Sequence, residues 1–206
     1  MINTFCEWAD MVFVYFSGHG YRKGEIDYVI LNGNEFISVG ELYAFSFRQI
    51  LFLDTCRSLS EERWFEIGDL GYIFSQQERF IARKTYNHLV NASPYGKTTI
   101  FSTSPFMKSF ETPAGSKYTQ AFLDAAIEWY NGYSHFYLTI NNAFHASLDH
   151  LEKVENRQIP KIYLYPDGEV RNLPIAINPI YMRDEVLYKP EVKVHSYNSY
   201  SYSPLG

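Results

Sequence analysis

Two short apolar runs constrain this chain more than anything else in it. Met11-Val12-Phe13-Val14-Tyr15-Phe16 stops at Ser17-Gly18-His19-Gly20, and Gln49-Ile50-Leu51-Phe52-Leu53 leads into Asp54-Thr55-Cys56. Runs of this length bounded by turn residues read as strands buried on both faces, and such strands belong to parallel sheets covered on each side. The Ser-Gly-His-Gly segment predicts a tight turn after the first strand. Ligands of open α/β sheets bind beyond the carboxyl ends of the strands. His19 and Cys56 both stand there.

The rest of the chain supplies the alternation such a sheet needs. Ile26 to Leu31 is a further strand closed by Asn32-Gly33-Asn34. Ser38 and Glu41 have capping-box spacing and open a brief helix through Leu42 and Tyr43. A helix is expected between Gln76 and Val90, and a β-branched strand at Thr98 to Thr103. Two amphipathic helices follow, one with the stripe Tyr118, Phe122, Ala126 and Trp129, the other with Ile140, Phe144, Leu148 and Leu151. The chain returns to extended structure at Ile159 to Tyr165 and turns at Pro166-Asp167-Gly168. Strands alternating with helices predict an α/β sandwich on a mostly parallel sheet.

Composition removes several function classes. With 206 residues the chain has room for one domain with appendages. A net charge of −5 argues against nucleic acid, whose affinity rests on clustered Lys and Arg. The longest apolar run, Met11 to Phe16, is far short of the ~20 residues of a membrane span. The N-terminal residues show no basic region followed by an apolar stretch, and the 2 cysteines, Cys6 and Cys56, suit a reducing compartment. The expectation is a cytoplasmic protein. His145 and His150 miss the four-residue spacing of a helical metal pair, and His88, His135 and His195 lack a ligand cluster, so no metal site is expected.

A thiol attacks a carbonyl as thiolate, and an imidazole beside it takes the proton and later returns it to the leaving amine. Parallel neighbouring strands would bring His19 and Cys56 together. The glycines flanking His19 leave backbone accessible, so the amide of Gly20, with that of Cys56, could donate to a developing oxyanion.

These segments carry a family resemblance. Phe16-Ser17-Gly18-His19-Gly20 and Leu51-Phe52-Leu53-Asp54-Thr55-Cys56-Arg57-Ser58, in this order, resemble the caspase and metacaspase clan of cysteine peptidases. Thr99-Ile100-Phe101-Ser102-Thr103-Ser104-Pro105, the Glu111 region and Gly115-Ser116-Lys117-Tyr118-Thr119-Gln120-Ala121-Phe122-Leu123 are similar to the strand, loop and helix that open the family's small subunit. Gln158-Ile159-Pro160 is similar to its late Gln-x-Pro segment, so the likeness runs over roughly residues 10 to 166.

The resemblance implies a three-layer α/β/α sandwich, shortened at the N-terminal side because the family places two strands and a helix before the histidine strand. It implies His19 as general base and Cys56 as nucleophile, acting on a peptide or protein without an organic cofactor. Calcium activation is the one ion dependence it leaves open, through Glu25 and Asp27, although two carboxylates do not specify a calcium site. Asp54, Ser102 and Ser104 are the implied substrate-binding residues. A carboxylate two residues before the nucleophile selects a basic side chain by charge-assisted pairing, so cleavage after Arg or Lys is expected. Cys56-Arg57-Ser58-Leu59 mixes features of both subfamilies.

The peptidase domain is expected over residues 1–175, with an insertion or intersubunit-type linker at 57–97, and a C-terminal extension over 176–206 whose Tyr- and Ser-rich tail starts at 189. Arg63, Arg79, Arg83 and Lys84 are candidate self-cleavage points in that linker. Without the family's first strands the edge of the Met11 to Phe16 strand is left open. Either the chain is a fragment of a longer product, or a partner subunit, a second copy, or the chain's own residues 180 to 194 would cover it. The competing reading is a catalytically silent caspase-like module that acts as a scaffold.

Overall fold

The computed structural model describes residues 9–32, 35–44, 46–55, 76–112, 115–132, 135–155, 157–165 and 173–178. Cys6, Cys56, Arg63, the turn at 166–168, the expected edge strand at 180–194 and the tail lie outside the described residues. In chain order the strands are β1 Val12–Gly18, β2 Gly20–Lys23, β3 Ile26–Asn32, β4 Glu35–Ser38, β5 Arg48–Thr55, β6 Gly96–Phe101, β7 Glu111–Thr112, β8 Gly115–Ser116, β9 Tyr137–Thr139, β10 Lys161–Tyr165 and β11 Pro174–Ile177. The α-helices are α1 Gln76–Ala92, α2 Lys117–Asn131 and α3 Ile140–Val154, and a 3-10 helix spans Val39–Ala44.

The main sheet has the order β1-β5-β6-β10. β1 pairs with β5 and β5 with β6 in parallel, while β10 returns antiparallel to β6. Every residue of β5 is buried, as its unbroken apolar run predicts. β1 corrects the expectation of burial on both faces: inner and outer residues alternate, and Phe13 and Tyr15 are 47% and 41% exposed. The reason is position. Among the described residues β1 pairs with β5 alone, so the sheet ends there.

Pleating divides the core in two. Ile50, Phe52 and Ile100 meet Tyr118, Phe122, Ala143, Phe144 and Leu151 from α2 and α3. α1 joins this side at β11, where the Tyr86 hydroxyl donates to the Pro174 carbonyl at 2.8 Å. On the opposite face Leu51, Leu53 and Phe101 pack against Val29, Val39 and Leu42. The α/β sandwich on a mostly parallel sheet is therefore present. On this opposite face, among the described residues, lie the antiparallel sheet β2-β3-β4 and the 3-10 helix.

Local chemistry sets the boundaries. The Glu41 carboxylate accepts from the Ser38 amide at 2.9 Å and the Ser38 hydroxyl at 2.6 Å, so the capping box forms as expected and opens the 3-10 helix. Ser116 caps α2 by accepting from the Tyr118 amide at 3.2 Å, and Thr139 caps α3 by accepting from the Asn142 amide at 3.3 Å. Arg48 anchors the start of β5: its guanidinium donates to the carbonyls of Ser93 at 2.8 Å and Asn91 at 3.0 Å beyond and within the last turn of α1. That guanidinium also lies 4.6 Å from the centre of the Tyr95 ring. A cation at a helix carboxyl end is favourably placed. No helix among the described residues is long and apolar enough to cross a membrane.

Candidate active site

β1 and β5 end at the same level. Their register runs to Ser17↔Asp54 and Gly18↔Thr55, so His19 follows directly after the last pair on β1. Cys56 lies outside the described residues. The predicted tight turn is absent. β1 passes into β2 with His19 as the one residue between them, and the chain crosses from the main sheet to the smaller one. The His19 side chain is half-buried at this junction.

Gly20 explains how the two strand ends stay together. A Cβ there would stand 2.8 Å from Thr55 Oγ1, 2.9 Å from Thr55 Cβ and 2.9 Å from the Tyr28 carbonyl oxygen. The residue after the histidine is thus packed against the residue before the cysteine, and only glycine leaves the space. The His19 carbonyl accepts from the Ile30 amide at 2.9 Å, with Gly20 opposite Val29. In that antiparallel register the pair Gly20 and Val29 is not hydrogen-bonded, so the Gly20 N–H turns away from β3. β2 is an edge of its sheet.

Asp54 is 2% exposed and lies on the face of the sheet toward α2. Its Oδ1 accepts from the Ser109 hydroxyl at 3.3 Å and its Oδ2 from the Thr119 hydroxyl. Among the described residues no Lys, Arg or His forms an ion pair with it. Ser109 is itself held by Gln158, whose Nε2 donates to the Ser109 hydroxyl at 3.2 Å and the Ser102 carbonyl at 2.8 Å. Gln158 Oε1 accepts from the Phe110 amide at 3.1 Å, so an amide donor and a carbonyl acceptor fix the orientation of the side chain. Neither Ser109 nor Thr119 stands out in the sequence as a partner of Asp54. The similarity of Gly115 to Leu123 and of Gln158-Ile159-Pro160 to family segments was the available signal.

Of the two serines expected at the substrate, Ser102 faces inward and Ser104 is partly buried. Ser102 is fully buried, and its hydroxyl lies 3.3 Å from both the Thr55 carbonyl and the Ser109 hydroxyl. Ser104 donates to the Ile159 carbonyl at 2.8 Å. Both brace the loop after β6 against neighbouring backbone, because a loop at the end of a buried strand must satisfy its polar groups internally. Farther along this loop Phe106 is 71% exposed with φ 63°, a left-handed conformation costly for a side chain of its size, and the Arg22 guanidinium lies 5.8 Å from its ring centre.

A charged clamp closes the loop from the other side. The Glu155 side chain, 5% exposed, accepts from Arg157 Nε at 2.7 Å and from Lys117 Nζ at 2.9 Å. These bonds, the Arg157 one foremost and then that to Lys117, lower the Glu155 pKa to about 2. Phe110 lies between the two cations, 4.7 Å from Arg157 and 5.8 Å from Lys117.

The acidic and basic candidates fall differently. Asp27 lies within β3 and pairs with Arg22 at 3.2 Å, so it is a partner of the hairpin and not a loop residue. Gly24, φ 62°, occupies the first of two turn positions between β2 and β3, where a hairpin turn of this kind calls for glycine. Among the described residues no three side chains of metal-ligand type converge. Arg79, Arg83 and Lys84 belong to α1, and a peptidase cleft takes extended chain, so cleavage at these three requires α1 to unwind.

Taken together, the geometry defines an α/β protein whose parallel strands β1 and β5 end side by side, one leading into His19 and the other stopping one residue before position 56. The family model described as the caspase domain matches residues 6–166. The chain belongs to the caspase-domain family of cysteine peptidases. Among solved structures it is similar to the crystal structure of caspase-1 from Spodoptera frugiperda, at 14% identity and a TM-score of 0.46, covering 79% of this chain and 67% of that one. No curated protein matches the chain.

Proposed function

We propose that the protein is a cysteine endopeptidase that cuts after Arg or Lys. His19 takes the Cys56 thiol proton, the sulfur attacks the substrate carbonyl, and the imidazolium gives the proton to the departing amine. Water, deprotonated by His19, then releases the acyl group and regenerates the thiol. The backbone amides of Gly20 and Cys56 hold the oxyanion. The observation that carries this reading is the register Gly18↔Thr55 together with the packing of Gly20 on Thr55, which supports proximity of the two reacting side chains. The buried carboxylate of Asp54, without a cation among the described residues, supports the basic preference. A cytoplasmic location keeps the thiol reduced. The outer edge of β1 is where a partner subunit or second copy would pair.

An arginyl acyloxymethyl ketone, incubated with and without calcium, tests the reading. Labelling at Cys56 that is lost in Cys56→Ala and falls roughly 10²- to 10⁴-fold in rate in His19→Ala is expected. No labelling of the folded protein under either condition would make it a silent caspase-like module. Labelling by an aspartyl probe in preference to the arginyl one would overturn the Asp54 assignment alone.

A further inference from the structure

Asp54 is one end of a chain of hydroxyls. A carboxylate only accepts, so the single hydroxyl proton of Thr119 goes to Asp54 Oδ2. The Tyr15 hydroxyl, 3.3 Å from Thr119 Oγ1, is then the donor to Thr119. On the other oxygen the Ser109 proton goes to Oδ1, and Ser109 in turn accepts from Gln158. Each carboxylate oxygen is therefore approached by one neutral donor, and each has acceptor capacity left. The two donors come from separate elements, the loop after β6 and the first turn of α2, and they fix the plane of the carboxylate. A planar guanidinium pairs through two parallel bonds and depends on that plane. A buried carboxylate stripped of a donor loses its orientation.

We propose that Thr119 and Ser109 are positioning residues for substrate selection, which hold the Asp54 carboxylate aimed so that it accepts a guanidinium or ammonium group from the residue preceding the cut. The inference rests on the peptidase reading above and adds to it the residues that decide selectivity. Thr119 acts through Asp54, so its removal raises KM for basic substrates and spares the chemical step.

The test compares full-length wild type, Thr119→Val, Thr119→Ser and Ser109→Ala on two fluorogenic peptides that differ only in arginine or norleucine before the cut. For Thr119→Val the expected result is a KM for the arginyl peptide raised roughly 10- to 100-fold, with kcat within about threefold and the norleucyl peptide unaffected. Thr119→Ser, which restores the hydroxyl, is expected to lie within about threefold of wild type. Should Thr119→Val lack a cooperative thermal transition, Ser109→Ala is read by the same criterion. Equal losses on both peptides, or no change on either, would overturn the positioning role. A wild type that prefers the norleucyl peptide would overturn the basic preference itself, and a wild type that cuts neither would overturn the peptidase reading and this inference with it.

Discussion

β1 and β5 lie side by side with similar apolar sequences, yet the structure treats them as opposites. β5 is buried at all of its positions, between two covered faces and two paired strands. β1 has one paired side and alternates between partly buried and exposed residues. The strand that leads to the cysteine is therefore set in the interior, while the strand that leads to the histidine is set at a border. Rigidity of the strand that precedes the cysteine follows from packing. On the histidine side it depends on Gly20 against Thr55 and on the β2 to β3 ladder.

Truncation gives the largest contrast. Leu53→Ala, at a fully buried site, is expected to cost about 2–5 kcal/mol of folding stability, whereas Phe13→Ala on β1 should cost under about 1 kcal/mol. Urea denaturation of the two variants checks this, and equal losses would break the distinction. Gly20→Ala comes next, at about 1–3 kcal/mol, because one of the atoms in its way is the Tyr28 backbone carbonyl, which cannot swing aside. The same variant should slow labelling of Cys56, since relief of the clash separates the two strand ends. Unchanged stability and labelling would show that the junction is looser than its packing.

The smallest effect concerns acid. Glu155 titrates at about 2 in the folded protein against an ordinary 4.5, so its contribution is present above about pH 4.5 and is lost as the pH falls through about 2. Glu155→Gln should be less stable than wild type at neutral pH, and the difference should close between those two values. Thermal melts across that range follow it. A constant difference would mean that the clamp on Phe110 acts through shape and not through charge.

The elements with strong periodicity were legible before any coordinates. The two amphipathic stripes became α2 and α3, the Ser38 to Glu41 spacing became a capping box, and Gln76 to Val90 lies within α1. The segment from Ile26 became β3. Strands of three or four residues such as β2, β4, β9 and β11 escaped, because so few residues carry no period and their pairing comes from distant partners. Asp54 was legible as a candidate site residue through its place before Cys56. Its donors were not: Ser109 and Thr119 are ordinary polar residues until the fold brings the loop after β6 and the start of α2 to the end of β5.

What belonged to the sequence was chemistry and order: apolar runs that must be strands, a histidine after one and a cysteine after the other, and a family pattern extending to residue 166. Side-chain type and spacing are local properties, written one residue at a time. Burial and partnership are not. Only the tertiary structure could make β5 the centre and β1 the border, turn Ser102 inward, and surround Asp54 with hydroxyls, because each of these depends on which distant segment arrives beside it.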